Sequence, residues 1–398
     1  MPPMPPTLRL RVTSAAERQI RCGHPWLFDG GIRAQNRPGA DGELAVIYDR
    51  RDRFLAAGLY DHASPIRVRV LHHGQPCRID SAWFAANLDR ALAARDGLAT
   101  ADTTGLRLVN GENDGWPGLV LDRYAGALVL KIYTAAWFSR LPLLVNLLGE
   151  KFPTHSVVLR LSRNLSGSGD WRDGATVSGP PITDRVIFSE TGLKFYADLR
   201  RGQKTGFFLD QRDNRRRVGE LAAGRDMLNL FSFTGGFSLY AARGGAGRVT
   251  SVDLSQHALA ELRDNWQLNH ANVAVRDCPH EEIQADAFAW LAQAGRRYSL
   301  MVLDPPSLAK READRPAALG AYQKLARAGL RRLAGRGILV CCSCSAHVST
   351  EDFLAVTRAA VTGSGRQIRE LAVTGHPPDH RVTVEELRYL KAVYFQSA

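Results

Sequence analysis

Read for the alternation of apolar and polar positions, the chain falls into three stretches. From residue 8 to about 75 the runs are short: "LRLRV", "GELAVIYD", "FLAAGLYD" and "PIRVRVLHH", with "GHPWLFDGGI" between the first two. Strands of this length, separated by turn residues, predict a small β-barrel over 1–76. From 77 to 183 the period changes. "DSAWFAANLDRALAARDGL" has apolar residues at helical spacing, "NGENDGWPG" is turn-rich, and "LVLDRYAGALVLKIYT" reads as a strand pair. "AAWFSRLPLLVNLLGEKF" then predicts a helix and "HSVVLRLSRN" another strand, so this stretch is a small α+β domain. The Gly, Ser and Pro of "NLSGSGDWRDGATVSGPPITD" mark the loop that closes it.

In the third stretch, 184–398, strand and helix signals alternate. "DMLNLF" precedes a helix from about 236, "RVTSVDLS" one from 256, "YSLMVLDPP" one from 317 and "GILVCCS" one from 350. Such alternation predicts an α/β, Rossmann-like domain with a parallel, doubly wound sheet. The C-terminal "VTVEELRYLKAVYFQ" reads as strands for an antiparallel hairpin at the sheet's end. Ligands of such sheets sit beyond the carboxyl ends of the strands, near the switch in strand order.

Composition narrows the partners. At 398 residues the chain is long enough for two or three cores that need no staples, and its six cysteines show no regular spacing, so a reducing cytoplasm is the expected setting. "MPPMPPTLRLRV" lacks the apolar centre of a signal peptide, and no run approaches the ~18 apolar residues of a membrane span. The expected protein is soluble, with no membrane partner. Lys and Arg number 52 against 40 Asp and Glu, a net charge of +12 carried mainly by arginine, whose planar fork suits phosphate and base edges. RNA or DNA is therefore the first partner to consider.

The strand ends carry the candidate chemistry. In "NLFSFTGGFSLYAA", Asn229, Phe231, Ser232, Thr234, Gly235 and Gly236 form a turn where backbone can approach a ligand and open a helix. Asp253, eighteen residues beyond Gly235, ends the second strand beside Leu254, placed to bind both ribose hydroxyls of an adenosine cofactor. Dehydrogenases and methyltransferases both use that pairing. "FTGGF" is not GxGxxG, however, and its tighter turn suits a cofactor with a charged amino-acid tail rather than a pyrophosphate. Asp286, followed by Ala287, would end the third strand as an acceptor for the adenine amino group, or else cap a helix. Asp304 ends the fourth strand in "VLDPPSLAK", where two prolines force a rigid extended turn. This resembles the substrate-facing motif of class I S-adenosylmethionine-dependent methyltransferases. Ser307 stands where methylases of exocyclic amines usually carry an aromatic, which disfavours an amine target.

Three cysteines cluster in "GILVCCSCS". Metal ligation needs more Cys or His at ligand spacing than His347 supplies, so no metal is expected. Cys341 and Cys342 continue an apolar run and read as buried filler. Cys344 lies past it, between two serines, and reads as a nucleophile across the crevice from Asp304. A thiolate makes sense if the methyl acceptor is carbon 5 of a pyrimidine, which needs addition at carbon 6 to become nucleophilic. Asp304 would then hold the N3 and amino edge of a cytosine. In "GQKTGFFLDQRDNRRRV", Phe207 and Phe208 can cover cofactor or base, Gln211 and Arg212 can reach the polar tail, and Arg215, Arg216 and Arg217 can meet phosphates.

Together, "YADLRRGQKTGFFLDQRDNRRRV", "LNLFSFTGGFSLYAARGGAGRVTSVDLSQHAL", "LDPPS" and "CSCS" resemble the bacterial 23S ribosomal RNA (cytosine-C5)-methyltransferases that carry an N-terminal PUA domain. The likeness is strongest over 190–347, and "GHPWLFDGGI" and "GENDGWPGLVLDRYAG" extend it to both N-terminal stretches. It implies a PUA barrel that binds RNA, a small α+β domain, a Rossmann-like domain that binds S-adenosylmethionine, 23S ribosomal RNA as substrate and Cys344 as nucleophile. Leu308 departs from the aromatic that often follows the Asp-Pro-Pro segment, and residues 155–182 show little likeness. Methylation of another RNA atom with Cys344 structural, or a non-catalytic RNA-binding assembly factor, are the competing readings; a dehydrogenase is the weakest. A homodimer stays open.

Overall fold

In the computed structural model, which describes residues 7–165, 170–293 and 295–398, the alternation of "LRLRV" becomes the strand Leu8–Val12, with its three apolar residues buried and both arginines exposed. The start of the expected barrel, 1–6, and the stretch 166–169 of the glycine- and serine-rich loop lie outside the described residues. Leu8–Val12 sits in a six-stranded sheet ordered Trp26–Phe28, Ile66–His73, Phe54–Tyr60, Leu44–Tyr48, Leu8–Val12, Ile32–Gln35. This stretch is not purely β. Ser14–Arg21 is a helix capped by Thr13, whose Oγ1 accepts from the Ala16 amide, and it buries Ala16 and Ile20 against the sheet. The segment is amphipathic, but its eight residues are fewer than the window over which a helical period is read.

The next sheet has five strands in the order Ala175–Ser178, Ser156–Leu161, Ala127–Ile132, Leu119–Tyr124, Gly105–Asn110. Asp80 caps the helix Ser81–Ala93, and a second helix, Leu141–Lys151, carries its proline in the first turn, where no amide is lost. The core between them stacks Trp116 on Trp137 at 5.8 Å. Both sheets lie in one compact unit, 1–188 with 197–207; the other unit comprises 189–196 and 208–398.

The second unit holds a seven-stranded sheet: β1 Asp226–Leu230, β2 Arg248–Asp253, β3 His280–Gln284, β4 Tyr298–Leu303, β5 Leu333–Ser343, β6 Ile368–Thr374 and β7 Lys391–Ser397. Their order is β3-β2-β1-β4-β5-β7-β6, with β1 to β5 parallel and β7 antiparallel to both neighbours. The helices are α1 Arg212–Glu220, α2 Gly236–Arg243, α3 Gln256–Leu268, α4 Val273–Asp277, α5 Ala287–Ala292, α6 Arg315–Arg332 and α7 Thr350–Thr362. The central strands are buried on both faces, which is why they read as continuous apolar runs. One expectation needs correction: the final strand starts only at Lys391, Glu385–Leu387 is a short 3-10 turn, and the antiparallel mate is the upstream β6. That strand lies at the sheet edge, with no fully buried residue, so its apolar pattern is weak. Among the described residues no helix is long and apolar enough to cross a membrane.

The strand order reverses between β1 and β4. The carboxyl ends of the parallel strands β1 to β5 therefore lie along one edge, and the residues predicted for the cofactor, together with Asp304 and Cys344, lie on or beside a strand end or the entry to α1.

Candidate active site

After β1 the chain turns through Phe231 and Phe233, whose φ angles of 60° and 48° are left-handed, and then Gly235 at 82°. For bulky residues such angles cost about 1–3 kcal/mol each and persist only where the surroundings impose them. Here the Ser232 amide donates to Val252 at 3.0 Å and the Phe233 amide to Asp253 Oδ2 at 2.8 Å. Gly235 cannot be replaced without movement, since a Cβ there would lie 2.5 Å from Leu262 Cγ. Gly236 then opens α2 against the stem of Arg215.

This turn is rich in unspent polarity. Ser232 Oγ, Thr234 Oγ1 and Asn229 Oδ1 are buried without a hydrogen-bond partner, although Asn229 Nδ2 donates to Ser238 Oγ at 2.9 Å. Leaving such groups unpaired is costly, so their concentration at a strand end fits a polar ligand with hydroxyl and charged groups. Asp253 accepts the Phe233 amide on one oxygen and the Ser255 amide, at 2.9 Å, on the other. Both bonds aim the carboxylate and leave each oxygen a further lone pair for a ribose hydroxyl. Leu254 beside it is 68% exposed, an apolar surface suited to a flat ring. Phe208 meets Phe233 edge to face at 5.0 Å, and Phe231 meets Phe288 at 5.9 Å.

Asp286 lies two residues past the end of β3 and caps α5, its Oδ1 accepting the Ala289 amide at 2.8 Å, with Ala287 buried behind it. One carboxylate oxygen is thus committed to the helix, and the other is the one a base could reach.

The far side of the edge is built differently. Asp304 follows β4, and both its oxygens accept from Gln211 Nε2, at 3.0 and 3.1 Å. Gln211 Oε1 accepts from Asn214 Nδ2 at 2.6 Å, and Asn214 Oδ1 accepts from Thr374 and Tyr394 hydroxyls at 2.6 and 3.2 Å. Gln211 therefore orients Asp304, a role that spacing alone did not suggest.

Cys341 and Cys342 are buried, and burial pushes the Cys341 thiol up to about 12. Burial also raises Cys342 well above the ordinary thiol range, with the Asp304 charge adding to it. Cys344 is partly exposed, its Sγ 4.0 Å from the Pro305 carbonyl oxygen. Ser345 stitches the two loops together: its Oγ accepts the Leu308 and Ala309 amides at 3.0 and 3.3 Å and bonds the Tyr322 hydroxyl at 2.8 Å. Ser307 turns back into the same loop, its Oγ donating to the Ala309 carbonyl at 3.1 Å and lying 3.2 Å from Ser345 Oγ.

Two arginine assignments and one phenylalanine assignment change. Arg215 is buried in a two-point pair with Glu190, at 2.7 and 2.6 Å, and does not meet phosphates. Arg212 is held by Asp379 at 2.9 and 3.2 Å, in the loop before β7. Phe207 is buried in the first unit against Phe188, leaving Phe208 to line the site. Arg216 is exposed and pairs with Glu220, while the Arg217 guanidinium lies over the Tyr394 ring. One residue escaped the sequence reading: Lys391, at the start of β7, is 1% exposed and binds the turn after Cys344. Its register opposite Ser343 exists only in the folded sheet. Among the described residues no three His, Cys, Asp or Glu side chains are grouped to hold a metal ion.

Comparison with known proteins agrees with this geometry. Residues 111–396 match a family described as S-adenosylmethionine-dependent methyltransferases, and residues 10–73 match a PUA-like domain. A ribosomal RNA large subunit methyltransferase of Deinococcus radiodurans is 55% identical, covering 98% of this chain and 98% of its own. Ribosomal RNA large subunit methyltransferase I of Aeromonas salmonicida is 34% identical, over 92% of this chain and 93% of its own. Among solved structures, a methyltransferase complexed with S-adenosylhomocysteine superimposes with a TM-score of 0.83 at 25% identity, covering 98% of this chain and 100% of that one.

Proposed function

Since the chain belongs to the S-adenosylmethionine-dependent methyltransferases, we propose that it methylates carbon 5 of a cytosine in large-subunit (23S) ribosomal RNA, through a covalent bond between Cys344 and carbon 6. The observation that carries the reading is the contrast among three neighbouring cysteines. Cys341 and Cys342 are sealed in the sheet, whereas Cys344 opens beside the Asp304-Pro305-Pro306 turn. The absence of an aromatic after Pro306, with Ser307 folded into its own loop, speaks against a stacked exocyclic amine.

The cofactor, when bound, supplies an electrophilic methyl group on a sulfonium. Asn229, Ser232, Thr234 and Asp253 carry the polar atoms that would hold its ribose and amino-acid parts, Gly235 and Gly236 keep the backbone close, and Leu254 and Phe231 offer apolar faces to the adenine. Phe208, Asp286 and Ala287 complete this set. Gln211 and Arg212, first assigned to the cofactor tail, act through Asp304 and Asp379 in this reading. Asp304 holds the N3 and amino edge of the cytosine. The Cys344 thiolate adds to carbon 6, which makes carbon 5 nucleophilic enough to take the methyl. Loss of the carbon 5 proton to a base then restores the double bond and expels the thiolate. The PUA-like stretch, within 1–76, helps hold the RNA by its phosphates, in keeping with the basic composition and a cytoplasmic place of work.

The test is trapping. RNA carrying 5-fluorocytosine cannot lose a proton from carbon 5, so the wild-type protein should form a stable adduct at Cys344, read by mass spectrometry. Cys344→Ala should lose both adduct and methylation while still binding cofactor. Full methylation by Cys344→Ala would sink the proposal.

A further inference from the structure

A lysine with almost no exposed surface is rare, and it needs a reason. Lys391 opens β7, and the β5–β7 register sets it directly opposite Ser343, one residue before Cys344. Its Nζ donates to the Ser345 carbonyl at 2.7 Å and to the Val348 carbonyl at 2.5 Å, so it grips both ends of the turn that follows the cysteine. Two carbonyls do not neutralise a buried ammonium. The groups that favour its charged form are Cys344 and Glu351 of α7, while burial, the larger effect, brings it down to about 8.

Several groups near Cys344 disfavour a thiolate. Asp304 follows β4, which pairs with β5, and its charge bears on Cys342, two residues before Cys344; Tyr322 of α6 feels Cys344 and has a proton that burial holds more tightly, and burial raises the Cys342 thiol well above its ordinary value. The Pro305 carbonyl oxygen, at 4.0 Å, adds negative potential. An anion formed here needs a compensating cation, and a free thiol has an ordinary pKa of about 8.5.

We propose that Lys391 is a positioning residue for the nucleophile: its ammonium fixes the 344–348 turn and stabilises the Cys344 thiolate. The inference rests on the reading of Cys344 as nucleophile and adds to it the source of the thiolate. It also carries a sign. The ammonium is present below about pH 8 and its support fades as pH rises through that value, so the help is greatest at neutral pH.

The experiment is the pH dependence of alkylation of Cys344 by iodoacetamide in the full chain, followed on the Cys344 peptide by mass spectrometry so that exposed Cys22 and Cys77 do not interfere. In the wild type the midpoint should fall below the ordinary thiol value by about one unit or more, which is roughly a tenfold gain in thiolate at neutral pH. Lys391→Met should move the midpoint up by about as much, and Lys391→Arg, which keeps the charge, should restore most of it. A wild-type midpoint at or above the ordinary value overturns the proposal even if Lys391→Met fails to fold. So does a folded Lys391→Met with an unchanged profile. The fluorocytosine adduct separates the two claims: an adduct with an unshifted Lys391→Met profile removes the role of Lys391 alone, whereas a shifted profile without any adduct removes the nucleophile and leaves the electrostatic coupling.

Discussion

The two halves of the active-site edge treat polar groups in opposite ways. At the ends of β1 and β2, hydroxyl and amide oxygens of Ser232, Thr234 and Asn229 are buried with no partner, and two phenylalanines hold left-handed angles. At the ends of β4 and β5, the polar atoms are spent on one another: Ser345 bonds two amides and a tyrosine, Gln211 holds Asp304, and Lys391 holds two carbonyls. The first half carries the cost of polarity reserved for a ligand. The second half is preorganised, with Asp304 and the turn after Cys344 held by neighbours before any ligand arrives. Binding should therefore strengthen the first half, and substitutions should weaken the second.

The largest effect is expected where the second half is cut. Ser345→Ala strands the Leu308 and Ala309 amides and leaves the Tyr322 hydroxyl with its Ser343 bond, and should cost about 2–4 kcal/mol of stability, read by denaturant unfolding, with methylation falling as the Asp304 loop separates from Cys344. A change within about 0.5 kcal/mol would mean that the corner is not preorganised by Ser345.

Asp253→Ala comes next. It should weaken S-adenosylmethionine by about 1.5–3 kcal/mol in calorimetry, through two lost charge-assisted hydrogen bonds to the ribose. Unaltered affinity would remove Asp253 from the cofactor site.

Thr234→Val is smallest and sharpest. Because its hydroxyl is buried without a partner, the protein without cofactor should be no less stable, or more stable by up to about 1 kcal/mol, while cofactor affinity drops. Loss of stability in the cofactor-free protein would erase the contrast between the halves.

Much of this architecture is legible in the chain. Central strands buried on both faces write themselves as apolar runs, as in Leu300–Leu303 and Ile338–Cys342, and the residues that follow them fall at strand ends by arithmetic. That is how Asp253, Asp304 and Cys344 could be found. Two elements were not legible: β6, with no buried residue, has too weak an apolar pattern, and the helix Ser14–Arg21, though amphipathic, is too short for its period to stand out.

The sequence by itself determined the α/β class, the order of the central strands' chemistry, the type of cofactor and which cysteine leaves the core. All of these follow from local periodicity and from residue types at strand ends. Only the tertiary structure decided which side chains serve them. Arg215 is claimed by Glu190, Gln211 by Asp304 and Lys391 by the turn after Cys344, pairs separated by 25, 93 and 43–46 positions. Contacts of that kind depend on strand register and helix packing, and a chain read residue by residue carries no local mark of either.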